Sequence, residues 1–319
     1  MYFNKDNSFM HGIMFHHFHD GKLHKKGQGS IDIDQFKKIL DYIGRENIIN
    51  ADDFLKNIKK NNNTKKVCLT FDDGLKCVKD VILPVLNELD IKCFFFVPTI
   101  IFDNLTDSLE IYRYFRVNFF KDINEFYNSF FTNCKKNHLH LFIKKNEERI
   151  KKIKEMYSFY SIKDIEFRLV RNELLTIEEY QSIMKKMFLE KNFNPEDVKK
   201  FVFFSHEDLL QLKKENHIIG LHSHSHPNQI HKLEKTQQLN EYRENIKYLS
   251  NLLGINTRDI NSMSHPSGNY SEETLRILND LDIKLGFRDN MFIEKGMKSI
   301  NNSSLEIARS NHAEILKMV

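Results

Sequence analysis

Short apolar runs alternate with helical patterns over most of the chain, and this alternation restricts the fold more than any other feature of the sequence. Three runs lie in the N-terminal part: GIMFHHF (12–18), KKVCLTF (65–71) and IKCFFFVP (91–98). Three more lie in the C-terminal part: HIIGLHS (217–223), INSMSHP (260–266) and IKLGFR (283–288). An apolar strand followed by a helix, repeated, predicts a parallel sheet or barrel.

Some of the connecting segments carry clear end signals. DIDQFKKILDYIG (32–44) has apolar residues at helical spacing and ends in a glycine. SEETLRILNDLD (271–282) opens with Ser271 and two glutamates, as expected for an N-cap with acids in the first turn. The short run ENIIN (46–50) predicts one more strand.

The alternation stops between about residues 101 and 201, where the pattern is helical. NEERIKKIKEMYSFY (146–160) and TIEEYQSIMKKMFLEK (176–191) have the spacing of amphipathic helices. We therefore expect one domain over residues 1–319, with a helical insertion at about 101–201. The insertion leaves just after IKCFFFVP and re-enters through the helix HEDLLQLKKEN (206–216), so it should leave and rejoin the barrel at the edge that carries the polar motifs described below. There it either overhangs the functional site expected at that edge, which favours a small or single-ended substrate, or folds away from it.

Two polar clusters follow apolar strands. Asp72 and Asp73 come directly after KKVCLTF, and the histidines of GLHSHSHPNQIH (220–231) come directly after HIIG. Two adjacent anions at the end of an apolar strand are electrostatically costly unless a cation compensates them. Because the carboxyl ends of parallel strands meet at one edge of the sheet, both clusters should lie there together.

One carboxylate and two imidazoles form a three-ligand site for a divalent metal, with positions left for water and substrate. The other carboxylate is then placed to take a proton from a water molecule. Taken alone, DDG is a common turn and HSHSH is more often a surface loop. Their combination, each after an apolar strand, is a much stronger indication of a site.

TFDDG (70–74) followed by HSxxH (222–226) resembles the polysaccharide deacetylases, whose members contain a NodB-homology domain. This resemblance implies a distorted parallel (β/α) barrel that removes N- or O-acyl groups from sugars with a divalent metal, often zinc. It also implies that Asp72 is the general base and that Asp73, His222 and His226 are the metal ligands. Ser223 would brace the loop between the two histidines.

Weaker matches extend the resemblance to about residues 1–100 and 200–319. SHPSGNYSEETLRIL (264–278) is similar to the third motif of the family, in which Pro266 and Gly268 align and the backbone N–H of Ser267 would donate to the oxyanion. The first strand of many members carries Tyr-His, and the matching residues here are Phe15 and His16. His16 would therefore lie at the substrate.

The sequence departs from the family pattern at two points. Many members carry an arginine two residues before the third-motif proline, which orients the base, and Ser264 stands there instead. Arg309 and Arg288 can replace it, and Arg309 is the better candidate. The late Leu-x-x-His motif is not clear, and His312 is the nearest candidate for the acid that protonates the leaving amine. His16 and His17 are alternatives, and an exposed His312 without a function is another.

The sequence therefore predicts a metal-dependent hydrolase that removes an acetyl-type group from a sugar nitrogen. Zinc is the preferred candidate for its divalent metal. An acylated sugar or a glycan precursor is the expected partner. Rival interpretations are a hydrolase of non-sugar C–N bonds, such as a deformylase or cyclic amidase, and a non-catalytic glycan-binding module. With 48 basic and 44 acidic residues, the charge gives no case for nucleic acid. The N-terminus lacks the apolar core of a signal peptide and no run is long enough to span a membrane, so we expect a cytoplasmic protein.

Overall fold

In a computed structural model of this protein, seven parallel strands form one sheet among the residues that the structure describes. Their order in the sheet is β6-β5-β4-β3-β2-β1-β7. The strands are β1 (His11–Phe15), β2 (Val67–Phe71), β3 (Phe94–Val97), β4 (Ile218–Leu221), β5 (Ser262–Ser264), β6 (Leu285–Phe287) and β7 (Arg309–Asn311). The structure describes residues 9–58, 64–103, 108–134, 136–156, 160–293 and 296–319.

The two edges of this sheet approach each other. Just before β7, Ile307 forms a parallel bridge with Phe287 of β6, while β7 itself pairs with β1. The sheet is therefore a nearly closed barrel of parallel strands with helices around it. The predicted parallel (β/α) barrel is confirmed.

The described helices divide between two compact units, one of residues 1–105 and 200–319 and the other of residues 106–199. In chain order they begin with α1 (Ile33–Ile43), α2 (Ala51–Asn57) and α3 (Leu83–Glu88). The next seven are α4 (Leu109–Asn118), α5 (Ile123–Asn133), α6 (Leu139–Lys145), α7 (Glu147–Met156), α8 (Ile162–Leu169), α9 (Ile177–Glu190) and α10 (Pro195–Val202). The last four are α11 (His206–Lys214), α12 (Lys235–Leu253), α13 (Glu272–Asp280) and α14 (His312–Leu316).

The second unit, residues 106–199, is built from helices around its own aromatic core, in which Phe115 contacts Phe188 and Phe130 contacts Phe167. The description of the chain as one domain with an insertion at about 101–201, and the position of that insertion, stay predictions. Of the helices in the described residues, none is both long and apolar enough to cross a membrane.

Helix ends follow the local sequence signals. The side chain of Asp32 accepts a hydrogen bond from the backbone N–H of Gln35 at the start of α1, and Gly44 ends that helix with positive φ. Ser271 caps α13 by accepting from the N–H of Thr274, which confirms the predicted N-cap. These caps fix where each helix begins after a loop at the carboxyl edge.

The predicted strand ENIIN (46–50) is wrong. Residues Arg45–Asn47 form a 3₁₀ turn, and only Ile48 makes a single parallel bridge, to Val67. Because Arg45–Asn47 take the 3₁₀ turn and Asn50 is the N-cap of α2, only Ile48 and Ile49 remain between them, too few for a strand. Loop length therefore overrides the β propensity of the two isoleucines.

Aromatic side chains fill part of the first unit's core. Phe94 stacks on Phe96 with ring centroids 5.8 Å apart, and Phe96 contacts Phe287 at 5.5 Å. Cys68 is buried in the same cluster and is a free thiol. Burying several phenylalanines gives a large hydrophobic stabilisation and leaves the strand ends as rigid supports for polar loops.

Candidate metal centre and active site

Asp72 and Asp73 leave the end of β2 in different directions. The backbone N–H of Asp72 donates to the carbonyl of Phe15, which extends the pairing of β1 with β2. Asp73 then adopts a left-handed conformation with φ of 71°, followed by Gly74 at 64°. Aspartate tolerates this region better than most residues, so the sequence DDG suits a sharp turn that separates two adjacent carboxylates.

Positive φ angles recur in the other loops at this edge. Ser223, His226 and Ser267 have φ of 59°, 52° and 51°. Serine and histidine have no glycine-like freedom, and such conformations persist only where surrounding contacts hold them. Strained backbone conformations therefore occur in the loops that follow β2, β4 and β5.

The carboxylate of Asp73 and the rings of His222 and His226, called the metal triad below, converge at this edge. Oδ1 of Asp73 lies 3.3 Å from Nε2 of His222 and 3.5 Å from Nε2 of His226. One ligand atom from each residue lies within 4.8 Å of the others. The structure thus brings together the three predicted metal ligands, although Asp73 and His222 are 149 positions apart in the sequence.

The hydrogen bonds of His222 fit a metal ligand. Its Nδ1 lies 2.8 Å from the carbonyl oxygen of Ser264, which can only accept, so Nδ1 carries the proton. In the neutral ring Nε2 then presents a lone pair toward the Asp73 carboxylate, as in histidines that bind a metal while a carbonyl holds the other nitrogen. In the charged ring Nε2 instead donates a hydrogen bond to that carboxylate. Acceptors facing one another repel unless a cation or a proton lies among them, so the donor set fits a divalent ion.

The charges around the triad shift its pKa values. Burial favours the neutral acid, but a hydrogen bond from His222 and the charges of three nearby histidines, one of them His16, lower the pKa of Asp73 well below its usual value. Burial opposes charge on His222, but its bond with Asp73 and the nearby carboxylates raise its pKa. Burial and the charge of His222 lower the pKa of His226. These shifts describe strong mutual coupling of the three side chains.

Asp72 is buried beside the triad, with 2% of its surface exposed, and Arg309 holds it. Nη1 and Nη2 of Arg309 donate to the two carboxylate oxygens of Asp72, each at 2.8 Å. The hydroxyl of Ser264 donates to the same carboxylate at 3.1 Å. Burial alone would raise the pKa of Asp72, but the Arg309 charge and hydrogen bonds outweigh it and lower the pKa. Asp72 therefore stays ionised.

Arg309 reaches Asp72 through the space left by a glycine. A Cβ atom at Gly12 would lie 2.8 Å from Cγ of Arg309, too close for a larger residue at that position. Nη2 of Arg309 also donates to Ser264 at 2.7 Å. Of the two predicted arginines, Arg309 contacts Asp72, whereas Arg288 donates to the carbonyls of Phe292 and Ile300.

The loops after β4 and β5 are joined to each other. The backbone N–H of His226 donates to the hydroxyl of Ser223 at 3.1 Å, the brace that the resemblance implied. Two residues beyond His226, Asn228 accepts from the hydroxyl of Ser267 through its side chain and from Asn269 through its backbone carbonyl. These bonds place the loop of Ser267 next to the loop of His226.

The third-motif residues Pro266, Ser267 and Gly268 form a tight turn after β5, in which Ser267 and Gly268 have positive φ. Gly268 has φ of 67°, and a Cβ atom there would lie 2.2 to 2.4 Å from atoms of the Asp289 carboxylate. The positive φ favours glycine, and a larger residue would also force the Asp289 side chain to move. The oxyanion role of the Ser267 N–H stays a prediction.

Among the predicted histidines outside the triad, His16 lies at the site. Its Nε2 is 3.8 Å from Asp73 and 3.9 Å from Asp72, and the ring is partly exposed. His312 is buried, with Nδ1 3.2 Å from the carbonyl of Met14 and Nε2 3.0 Å from that of Gly29. Burial lowers its pKa to about 4. Both ring nitrogens face backbone carbonyls, which does not favour His312 as the acid. That role stays a prediction.

Sequence reasoning missed polar residues that support the site from behind. Thr70 bonds Arg309 through its hydroxyl, and Asn245 of α12 accepts from the backbone N–H of His222. The signal for Asn245 was a polar residue within the buried stripe that includes Tyr242, Ile246 and Leu249. Thr70 carried no comparable signal, because threonine is common in strands.

Comparison with known proteins agrees with this geometry. The sequence profile of the polysaccharide deacetylase family matches residues 59–113 and 174–286, more than half of the chain. The chain belongs to the polysaccharide deacetylase family. The matched residues include both aspartates of the loop after β2 and both histidines of the triad. Among curated protein sequences, none matches this family member significantly.

Solved deacetylases share the fold of this polysaccharide deacetylase at low sequence identity. The deacetylase PplD of Streptococcus pyogenes, solved in complex with acetate, has a TM-score of 0.53 at 16% identity and covers 97% of each chain. IcaB from Ammonifex degensii has a TM-score of 0.52 at 13% identity, covering 97% of this chain and 96% of its own. A de-N-acetylase from Aggregatibacter actinomycetemcomitans has a TM-score of 0.52 at 10% identity and covers 94% of each. At such identities these similarities establish the fold.

Proposed function

We propose that this polysaccharide deacetylase is a metal-dependent hydrolase that removes an acetyl group from the nitrogen of a sugar. The observation that carries the proposal is the position of an ionised, arginine-held Asp72 directly beside the metal triad. A general base next to a three-ligand metal site is an arrangement that can hydrolyse an unreactive amide. A module that only bound glycans would have no use for a base in this position.

In this proposal one divalent ion is bound by the metal triad of Asp73, His222 and His226. Zinc is the preferred candidate, because one oxygen and two nitrogen ligands suit it. A bound dication would polarise the acetyl carbonyl and lower the pKa of a water molecule. Asp72 accepts the proton of the attacking water, since its low pKa keeps the carboxylate ionised. Arg309 acts through Asp72, because its two parallel hydrogen bonds fix the plane of that carboxylate.

The turn Pro266–Gly268 and His16 complete the proposed substrate side. The backbone N–H of Ser267 is the proposed donor to the developing oxyanion, with Pro266 and Gly268 fixing the turn that carries it. His16 is the imidazole outside the triad that lies within 4 Å of both aspartates, so we propose that it contacts the substrate.

The substrate class is proposed as an N-acetylated sugar in a cell-surface glycan or its precursor. Support comes from family membership and from two structures of the same fold: PplD was solved with acetate, and another is described as a de-N-acetylase. A role in glycan biosynthesis and a location in the cytoplasm remain proposals from the sequence.

Acetate release tests the proposal. The purified protein is stripped with a chelator, reloaded with one equivalent of Zn²⁺, and incubated with N-acetylglucosamine oligomers. We expect free acetate and a new amine in equal amounts, dependent on added metal. The matched variant Asp72→Asn, which keeps the shape of the side chain, should bind metal but release acetate at least about 10²-fold more slowly.

The same assay separates the rival functions. Hydrolysis of cyclic amides or formamides without release of acetate from any N-acetyl sugar would favour a non-sugar C–N hydrolase. Release from O-acetylated sugars alone would change the bond that is broken. Saturable binding of the oligomers without turnover of any acyl sugar by the zinc-loaded protein would favour the glycan-binding module and refute the proposal.

A further inference from the structure

Asn245 is a fully buried polar residue within the apolar face of helix α12. Its exposed fraction is 0%, and its neighbours on that face include the buried Tyr242, Ile246 and Leu249. An amide at such a position costs free energy unless its hydrogen bonds are satisfied, and an apolar residue would serve the helix better. The residue therefore needs an explanation outside α12.

The hydrogen bonds of Asn245 lead to the metal triad. Oδ1 accepts from the backbone N–H of His222 at 3.0 Å. Nδ2 donates to the carbonyl of Val97 at 3.0 Å and to the hydroxyl of Thr99 at 3.2 Å. These partners fix the orientation of the amide, because a backbone N–H can only donate and a backbone carbonyl can only accept. Asn245 thus ties the first residue of the histidine loop to the end of β3.

The middle histidine of HSHSH is held to the same support. Nδ1 of His224 lies 2.9 Å from the Thr99 hydroxyl, and its carbonyl accepts from the N–H of Ile100 at 2.9 Å. On α12, one helical turn before Asn245, Glu241 accepts from the N–H and hydroxyl of Ser225 at 2.8 and 2.6 Å. The two triad histidines therefore lie on either side of anchored residues.

We propose that Asn245 is a positioning residue for the metal triad, which presets the direction of His222 before a metal binds. The inference deepens the proposed function and rests on the metal site that it names. The ring of His222 is held at Nδ1 by Ser264 and its backbone by Asn245, so its Nε2 has little freedom to turn from Asp73. Groups that orient a metal ligand in this way typically change metal affinity by about 10- to 100-fold when they are removed.

The zinc dissociation constant, measured by competition with a chromophoric chelator, tests this role. Asn245→Ala should bind Zn²⁺ about 10-fold or more weakly than the wild type. The matched control is Gln238→Ala: Gln238 is a buried polar residue of the same helix, at 2% exposure, and bonds Leu233 and Thr274 away from the triad. It should lower the thermal stability of the metal-free protein but leave zinc affinity unchanged.

Thr99→Val keeps the test decisive if Asn245→Ala does not fold, because valine retains the shape and removes the hydroxyl that links Asn245 to His224. We expect a several-fold loss of zinc affinity. Wild-type affinity in the folded Asn245 variant, or in Thr99→Val if that is the variant that folds, would overturn the inference. An equal loss of affinity in Gln238→Ala would also overturn it, because the effect would then be general destabilisation.

The readout also separates this inference from the proposed function. A wild-type protein that binds zinc but hydrolyses no N-acetyl sugar refutes the function, and the affinities of the variants still decide the role of Asn245. A wild-type protein that binds no divalent metal refutes both.

Discussion

Replacing Arg309 with methionine removes one partner of a buried ion pair and leaves the other in place. Arg309 is 1% exposed and donates to both oxygens of Asp72, to Thr70, to Ser264 and to the carbonyl of Arg288. Methionine retains the apolar stem that packs beside Gly12 and removes only the guanidinium. The Asp72 carboxylate would then keep the Ser264 hydroxyl as its remaining close donor.

The expected loss in the free energy of unfolding is about 3–5 kcal/mol, the usual cost of leaving one charge of a buried pair without its partner. Adding Asp72→Asn to this variant should recover about 1–3 kcal/mol, because a neutral amide is less costly to bury than an unpaired carboxylate. The recovery is the stronger part of the prediction, since a simple packing defect at Arg309 would not be relieved by a change at Asp72.

The dependence of stability on pH should change sign for this carboxylate. In the wild type its folded pKa is lowered, so the pair stabilises the fold above the unfolded pKa of about 3.9 and is lost as the pH falls through the lower folded value. In Arg309→Met, burial raises the folded pKa of Asp72 above the unfolded one. The carboxylate then destabilises the fold at neutral pH, and the deficit of the variant shrinks as the pH falls toward 5.

Urea denaturation of the metal-free proteins at pH 5, 6.5 and 8 measures these differences. The control is Arg276→Met, whose side chain is 65% exposed and pairs with Glu272 and Glu273, so less than about 1 kcal/mol should be lost. A loss below about 1 kcal/mol in Arg309→Met would refute the reasoning. So would a double variant no more stable than the single one, or a deficit that does not change with pH.

The remaining predictions concern the metal triad, the base and the third loop. His222→Ala should contain far less zinc than the wild type by elemental analysis, and equal content would remove His222 from the ligand set. Asp72→Asn should keep its zinc and lose at least about 10²-fold in kcat, whereas loss of zinc as well would make Asp72 a ligand. Gly268→Ala should lose more than about 1 kcal/mol in thermal unfolding, because its φ is positive and its Cβ would meet Asp289; an unchanged Tm would contradict this.

The parallel sheet and the meeting of the two polar clusters could be predicted because their signals are local. Most of the apolar runs are followed by a helical pattern, and the rule that parallel strands end at one edge then brings Asp73 and His222 together. The choice of a barrel and of Asp73 as the ligand came from the family resemblance. The predicted strand at 46–50 failed because residues 45–47 form a 3₁₀ turn after Gly44 and Asn50 is the N-cap of α2, which leaves two residues between them. A strand prediction from residue type takes no account of how many residues remain between two helix ends.

The supporting groups were harder to predict because their partners are distant in sequence. Asn245 forms hydrogen bonds with His222 and Val97, and no pattern near Asn245 in the sequence indicates these partners. His312 shows the opposite error, in which a suitable residue type at the end of a motif suggests a role. Its ring lies against two backbone carbonyls instead. The type of a residue and its place in a motif predict which side chains are candidates for catalysis. Burial and hydrogen-bond partners then decide their protonation and orientation.

The Arg309 side chain points toward the carboxyl edge of the barrel. Arg309 pairs in register with Gly12, three residues before Phe15, whereas Asp72 follows Phe71, the register partner of Phe15. The guanidinium therefore lies nearer that edge than the Arg309 backbone does, and there it donates to Thr70 and Asp72. Arg309→Lys would keep the charge but cannot donate two parallel bonds in one plane. Because Arg309 reaches the Asp72 carboxylate from β7, residue 264 on β5 does not have to be an arginine. The Ser264 hydroxyl donates to Asp72 and accepts from Arg309.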